Sequence, residues 1–197
     1  MKAGWLIGGA LVVFGLGVVR VAAQSRKAVP ADPQQAGVGR QFGTLTGKDL
    51  NGKAFSVPVP GAKATVIALT STTCPLCLKY GPTLANLEDQ FAAKGVRFVF
   101  VNPSEIEPES DLHAQIGKLK LDGPYLHDTD HAWVRSLDAK TTTEVFVLDA
   151  SGTLRYRGAA DDQYSIGATL RAPRNRFLAD ALNAVLAGKA PKVTATE

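Results

Sequence analysis

A short apolar segment leads directly into a pair of cysteines and then into a predicted helix. Residues 66–69 are continuously apolar, which is typical of a strand buried on both faces of a sheet. The run Thr73-Cys74-Pro75-Leu76-Cys77 follows shortly afterwards. After Cys74, apolar side chains recur at helical spacing, at Leu76, Tyr80, Leu84, Leu87 and Phe91. Because proline favours the first position of a helix, this order predicts Cys74 at the helix start and Cys77 one turn inside.

Strands and helices alternate along the rest of the sequence. After the first helix, the predicted elements lie at 96–101 (strand), 112–119 (helix), 124–127 (strand), 130–137 (helix), 145–148 (strand), 154–157 (strand) and 173–187 (helix). Asp130 and Pro173 are the predicted starts of the last two helices. Asn51-Gly52, between two strand-like segments, predicts an N-terminal β-hairpin. This order predicts an α/β fold in which helices flank a central mixed sheet, with the cysteines at the carboxyl edge of the central strand.

The chain divides into four predicted segments. Residues 1–23 carry Lys2, a long uncharged apolar run and small residues at 21–23, which is typical of a signal peptide or a membrane anchor. Both alternatives stay open, because the run is long for a cleaved signal and slightly short for a membrane span. Residues 24–41 are predicted to be a polar linker, extended or disordered. Residues 42–188 form the predicted domain, and 189–197 a flexible tail.

Composition excludes several classes of protein. The chain contains two cysteines, too few for a disulfide scaffold or a four-sulfur zinc site. Its net charge is +4, but without residues 1–23 the balance is 20 basic against 18 acidic residues. Basic residues do not form a stripe with interleaved aromatic residues, so nucleic-acid binding is not expected.

The spacing of Cys74 and Cys77 predicts thiol–disulfide chemistry. The thiolate is the form that attacks a disulfide, and a helix N-terminus stabilises it through free N–H groups. Cys74 is therefore predicted to attack and Cys77, one turn further, to resolve the mixed disulfide. One alternative is that the two cysteines form half of a metal site. Another is an inert structural disulfide, but a disulfide that closes so short a loop would stabilise the fold little. No cofactor and no metal are expected.

From the strand through Thr73-Cys74-Pro75-Leu76-Cys77 to the long helix, the chain resembles the redoxin branch of the thioredoxin superfamily. The nearest group is that of the exported thiol–disulfide oxidoreductases related to TlpA and the cytochrome c maturation thioredoxins, over about residues 42–186. Pro82 matches the family's kink proline, and 143–149 resembles its Pro-Glu-x-Phe-Leu-Ile-Asp segment. The resemblance implies a thioredoxin-like fold and disulfide exchange with protein thiols or disulfides. It also implies a periplasmic location, with a membrane or periplasmic redox partner and an N-terminal segment that can act as an anchor.

Three positions bear on how closely the family's chemistry carries over. Thr143 stands where the family has a cis-proline, and because a cis bond before threonine costs about 2.5–4 kcal/mol, a trans peptide is expected there. The resemblance therefore implies that Thr143 lies where a partner's backbone docks, and that the backbone docks there differently than beside the family's cis-proline. Ala68 replaces the buried aspartate of thioredoxins. Glu144, by resemblance, lies near the resolving cysteine, where it either accepts the Cys77 proton or is a solvated residue at a strand end.

Two other functions share much of this pattern. A peroxiredoxin-like peroxidase is suggested by Ser71, three residues before Cys74, but Ile67 fills the position of that family's proline. Arg157 is a candidate for its peroxide-binding arginine. A Sco-type copper protein uses a longer cysteine spacing and a histidine near 140–142, where this chain has none. The three histidines, His113, His127 and His131, are not expected to cluster at the cysteines.

Overall fold

The computed structural model of the protein describes residues 28–197. The strands in this part are β1 (Leu45–Lys48), β2 (Ala54–Val57), β3 (Ala64–Leu69), β4 (Val96–Asn102), β5 (Tyr125–His127), β6 (Val145–Asp149), β7 (Leu154–Gly158), β8 (Tyr164–Ser165) and β9 (Ala168–Thr169). The helices are α1 (Pro75–Ala92), α2 (Glu109–Leu119), α3 (Ala132–Leu137) and α4 (Phe177–Leu186). None of these helices combines the length and the apolar character that crossing a membrane requires. The predicted signal peptide or anchor at 1–23 lies outside the described residues.

The central sheet has five strands in the order β5-β4-β3-β6-β7. β3 pairs in parallel with β4, and β4 with β5, because helices α1 and α2 carry the chain back across the sheet between them. β6 is antiparallel to β3, and β7 follows it as a hairpin partner. β1 and β2 form the predicted N-terminal hairpin. The structure therefore confirms the α/β fold with a mixed central sheet.

The two faces of the sheet support two hydrophobic layers. Every residue of β3 is buried, and because side chains alternate along a strand, its residues supply both layers. Val66 packs with side chains of α1, α2 and α4, whereas Ile67 packs with α3 and with Phe42, just before the N-terminal hairpin. The central strand is thus fixed from both sides, which holds its carboxyl end in place.

Helix α1 begins as the sequence predicts. Cys74 is the N-cap residue, with extended backbone angles (φ −71°, ψ 120°), and Pro75 is the first helical residue. The backbone N–H of Leu78 donates to the carbonyl of Cys74 at 3.0 Å, which closes the first turn. Pro82 lacks the N–H that would bond to the Leu78 carbonyl, yet the helix continues to Ala92.

The starts of the last two helices differ from the prediction. In α3 the carboxylate of Asp128 accepts hydrogen bonds from the N–H groups of Trp133 and Val134, whereas Asp130 accepts one from Ala132, before the first turn closes. Asp128 is therefore the main capping side chain. Helix α4 begins at Phe177, four residues after the predicted Pro173, because Asp162 holds the N–H groups of 174 and 175 in a loop.

Residues 28–41 and 189–197 also differ from the expected linker and tail. The Thr196 N–H donates to the Arg157 carbonyl and the Arg157 N–H to the Thr194 carbonyl, both at 3.1 Å. The Ala31 N–H also donates a hydrogen bond to the Ala195 carbonyl at 2.9 Å, so residues 28–41 and 189–197 pair with each other. Both segments are ordered because β7 is an edge strand, whose unpaired N–H and C=O groups are satisfied by a neighbouring chain segment.

Candidate active site

The two cysteines lie at the carboxyl edge of the central strand, in different environments. Cys74 is partly exposed at the helix start, whereas Cys77 is buried, with 3% of its surface accessible. Both carry free thiols. An accessible outer thiol therefore lies one helical turn from a buried inner thiol.

The surroundings shift the pKa values of the two thiols in opposite directions. Burial alone would raise the pKa of Cys74, but hydrogen bonds from the backbone N–H groups of Cys77 and Leu76 and from the Thr142 and Cys77 side chains outweigh it. The pKa of Cys74 is consequently lowered, as expected at a helix N-terminus. Burial raises the pKa of Cys77 to about 12, and the nearby Cys74 charge adds to the rise. Cys74 is the thiol that ionises first.

Thr142 contacts the dithiol from the loop that precedes β6. The Cys77 thiol donates to the Thr142 carbonyl, with 3.0 Å between sulfur and oxygen. The Thr142 side chain also lies close enough to lower the pKa of both thiols. Thr143, the predicted site residue, lies beside it, half-buried, and the peptide bond that precedes Thr143 is trans as expected. The residue that reaches the cysteines is thus Thr142, one position before the predicted one.

Glu144 is buried in an ion pair instead of being solvated at a strand end. Its exposure is 7%, and Arg157 donates from Nε to Oε1 at 2.7 Å. The backbone N–H of Lys140 donates to Oε2 at 2.8 Å. Arg157 also binds the Asp138 carbonyl at 2.9 Å, so this pair joins β7 to the loop that carries Thr142.

Glu107 lies behind the segment that precedes Cys74 and was not among the predicted site residues. It is 4% exposed and accepts six hydrogen bonds. Five come from Ser71, Thr72 and Thr73, of which two are backbone N–H groups and three are hydroxyls. The sixth comes from the Asn102 side chain at 2.7 Å. Burial opposes ionisation of Glu107, but the hydroxyl, amide and backbone donors prevail and hold its pKa far below the ordinary value.

A buried ring of hydrogen bonds extends from Glu107 under the cysteine segment. The Asn102 amide also reaches the Tyr125 hydroxyl at 3.4 Å, and that hydroxyl donates to the Gln115 side chain at 2.6 Å. Gln115 in turn donates to the Ser71 carbonyl at 3.3 Å. The ring therefore returns to Ser71, which itself donates to Glu107. Strands β4 and β5 and helix α2 all contribute to holding this segment.

Comparison with known proteins places the chain in a family. The family model for Redoxin matches residues 28–169. The chain belongs to the redoxin family. By family it is a thiol–disulfide oxidoreductase, which confirms the resemblance to redoxins and thioredoxins. A comparison with curated proteins gave no match.

Solved structures share the redoxin fold. A hypothetical protein from Sinorhizobium meliloti 1021 superposes with a TM-score of 0.73 at 22% identity, over 86% of this chain and 92% of that one. An uncharacterized conserved protein from Geobacillus kaustophilus gives 0.72 at 22% identity, over 81% and 87%. A putative thiol:disulfide interchange protein DsbE from Chlorobium tepidum gives 0.61 at 14% identity, over 76% and 97%.

The arginine and two of the histidines weighed for the alternative functions form hydrogen bonds away from the cysteines. Arg157, the candidate peroxide-binding arginine, is bound to Glu144 and to backbone carbonyls. His127 and His131 bond through their ring nitrogens to the carbonyls of Ser104 and Pro103, both at 2.7 Å. Within residues 28–197, no group of three or more histidine, cysteine, aspartate or glutamate side chains is arranged to hold a metal ion.

Proposed function

We propose that this protein exchanges disulfides with partner proteins, using Cys74 as the attacking thiolate and Cys77 as the resolving thiol. The single observation that carries the proposal is the placement of two free thiols at the start of α1, with Cys74 partly exposed at the N-cap and Cys77 buried one turn inside. This placement lowers the pKa of Cys74 and raises that of Cys77 to about 12. An accessible sulfur that ionises more readily, beside a buried one that holds its proton, is the arrangement that stepwise exchange requires.

The reaction proceeds in two balanced steps. The Cys74 thiolate attacks one sulfur of a partner disulfide, the partner's S–S bond breaks, and its second sulfur leaves as a thiolate. The mixed disulfide thus formed links Cys74 to the partner. Cys77 then loses its proton, which the thiolate already released from the partner takes up, and attacks the Cys74 sulfur, which releases the partner's remaining thiolate. Two electrons pass from the Cys74–Cys77 dithiol to the partner, and the reverse sequence oxidises a partner dithiol.

The proposed setting is outside the cytoplasm. Residues 1–23, with Lys2, the apolar run and the small residues that follow, support export as a cleaved signal peptide or an uncleaved anchor. There a dithiol meets oxidants and depends on dedicated redox partners. The proposed partners are protein thiols or disulfides, including a membrane or periplasmic redox protein. The likeness to a protein called a thiol:disulfide interchange protein supports this choice.

Thr143 and Glu144 have proposed roles next to the cysteines. Thr143, with its trans peptide, is proposed to shape how a partner backbone docks beside Cys74. Glu144 is proposed to act through its ion pair with Arg157, which holds the loop bearing Thr142. Thr143→Pro in a Cys77→Ser background should alter the set of partners captured as mixed disulfides, and an unchanged set would remove Thr143 from the docking surface.

The deciding experiment is an exchange assay on the chain from about Gln24 onward. A model peptide disulfide should be reduced by the dithiol form, Cys74→Ser should abolish reduction, and Cys77→Ser should accumulate the mixed disulfide at Cys74. A Cu(II) titration of the reduced protein runs in parallel. Negligible exchange together with tight, cysteine-dependent Cu(II) binding would replace this proposal with a copper-delivery function.

A further inference from the structure

The segment before Cys74 has almost no regular backbone pairing of its own. Residues 70–74 connect the end of β3 to the start of α1 as a short turn. Instead of a ladder, the backbone N–H groups of Thr72 and Thr73 donate to the two oxygens of Glu107, at 2.7 and 3.2 Å. Glu107 is 34 to 36 residues away in sequence, so this contact is entirely a product of the fold.

A chain of bonds leads from Glu107 to Cys74 itself. The Ser71 hydroxyl donates to Glu107 Oε1, and its oxygen accepts the N–H of Cys74 at 3.1 Å and that of Thr73 at 3.2 Å. The direction of the Ser71 hydroxyl, and with it the position of the Cys74 backbone, is therefore set by Glu107. The Cys74 sulfur must lie at the helix start to receive the N–H groups that stabilise its thiolate.

We propose that Glu107 is a positioning residue for the attacking thiol: its carboxylate orients residues 71–73 so that Cys74 caps helix α1. The proposal deepens the proposed function, because it assumes that Cys74 is the thiolate that attacks. Among the described residues, Glu107 forms no hydrogen bond with the sulfur of Cys74 or Cys77. It acts through Ser71 and the backbone.

A carboxylate is the one side chain of this length that satisfies all these donors. Each Glu107 oxygen accepts one backbone N–H, from Thr73 at Oε1 and from Thr72 at Oε2. In Glu107→Gln, one oxygen becomes an NH₂ group, which faces one of these N–H groups in either orientation. The three hydroxyls can rotate to accept a hydrogen bond, but a backbone N–H cannot. The variant therefore keeps size and shape while it displaces the segment.

For Glu107→Gln, the positioning role and simple charge removal predict opposite shifts in the pKa of Cys74. Loss of a nearby negative charge by itself makes ionisation of Cys74 easier and lowers its pKa. Displacement of Cys74 from the helix start removes hydrogen bonds to the thiolate and raises the pKa towards the ordinary value of about 8.5. A purely structural role lowers stability and leaves the pKa of Cys74 where it was.

The experiment measures the rate of Cys74 alkylation by iodoacetamide against pH, on the full chain, with the modified residue identified by mass spectrometry. Glu105→Gln is the matched control, since it removes the same charge from an exposed side chain of the same loop. Glu107→Gln should raise the pH at the midpoint of the alkylation profile and slow alkylation near neutral pH by about tenfold. A tenfold change corresponds to a shift of about one pH unit in that midpoint. Glu105→Gln should behave as wild type.

Ser71→Ala provides an independent test, because it removes only the hydroxyl that joins Glu107 to Cys74. Circular dichroism verifies folding, and if Glu107→Gln does not fold, the Ser71→Ala profile decides. An upward midpoint in the variant that decides supports the proposal, whereas an unchanged or lower midpoint in that variant overturns it. Wild-type labelling that begins at Cys77 would instead overturn the proposed function, so the two failures are distinguishable.

Discussion

Removal of Arg157 tests whether Glu144 is a structural partner or a proton acceptor. The side chains of both residues are 8% exposed, and their charged groups are 2.6 Å apart. Arg157→Met keeps much of the apolar stem, but it removes the guanidinium, which lies over the Phe146 ring, and leaves the Glu144 carboxylate buried without its cation. Breaking a buried pair in this way costs about 3–5 kcal/mol of unfolding free energy. For a chain of this size, that corresponds to a fall in Tm of about 6–20 °C.

The same strand supplies a matched control. Arg155 also lies on β7 and pairs with Asp149, but at 3.4 Å and with side-chain exposures of 33% and 23%. Because a solvent-accessible pair of this kind contributes less than about 1 kcal/mol, Arg155→Met should scarcely change stability. Adding Glu144→Gln to Arg157→Met removes the stranded charge and should restore at least about 1 kcal/mol.

The assay is urea unfolding followed by far-ultraviolet circular dichroism, with the rate of mixed-disulfide resolution by Cys77 measured on the folded variants. Equal stabilities of Arg157→Met and Arg155→Met would refute the structural role of the pair. If Glu144→Gln alone abolished resolution while unfolding was unchanged, Glu144 would be the proton acceptor for Cys77 after all.

Three further predictions concern the dithiol and the terminal segment. At neutral pH a small alkylating agent should label Cys74 before Cys77, as mapped by mass spectrometry, and the reverse order would contradict the assigned roles. Thr142→Val removes a hydroxyl that stabilises the Cys74 thiolate, so the pH midpoint of alkylation should rise; a fall would exclude that hydrogen bond. Gly158→Ala places a Cβ about 2.2 Å from a Thr196 oxygen at φ +134° and should expose the C-terminal segment to proteolysis. Gly117→Ala, in open space on α2, should instead stabilise by about 0.5–1 kcal/mol, and equal proteolysis of both variants would contradict the close-approach explanation.

The helix start at Cys74 could be predicted because its causes are local. A continuous apolar run, a proline at the first helical position and helical spacing of apolar residues all lie within one stretch of sequence. The fold class follows from the same kind of pattern, repeated along the chain. The relative ionisation of Cys74 and Cys77 also follows, since one position in a helix has free N–H groups and the other does not.

Glu107 and Thr142 could not be predicted in this way, because their contacts with the cysteine segment depend on which strands become neighbours. Glu107 follows β4 and Thr142 precedes β6, and these strands flank β3 on either side. The available signal was positional: the carboxyl end of the parallel strand β4 and the amino end of the antiparallel strand β6 lie at the same edge of the sheet as the carboxyl end of β3. The ordered terminal segments were missed for a related reason. Composition predicts a loose tail, whereas the unpaired edge of β7 gives that tail a partner.

Because Ala68 stands where thioredoxins have a buried aspartate, no carboxylate at that position can take the proton of Cys77. Burial and the neighbouring charge raise the pKa of Cys77, and its thiol donates to a backbone carbonyl, which cannot take up the proton permanently. Glu144 is occupied by Arg157 and by the Lys140 N–H. In the proposed exchange, formation of the mixed disulfide removes the charge and the hydrogen bond of Cys74, which both raise the pKa of Cys77 in addition to burial. Under the proposed exchange, we therefore expect Cys77 to ionise more easily once a partner is bound at Cys74.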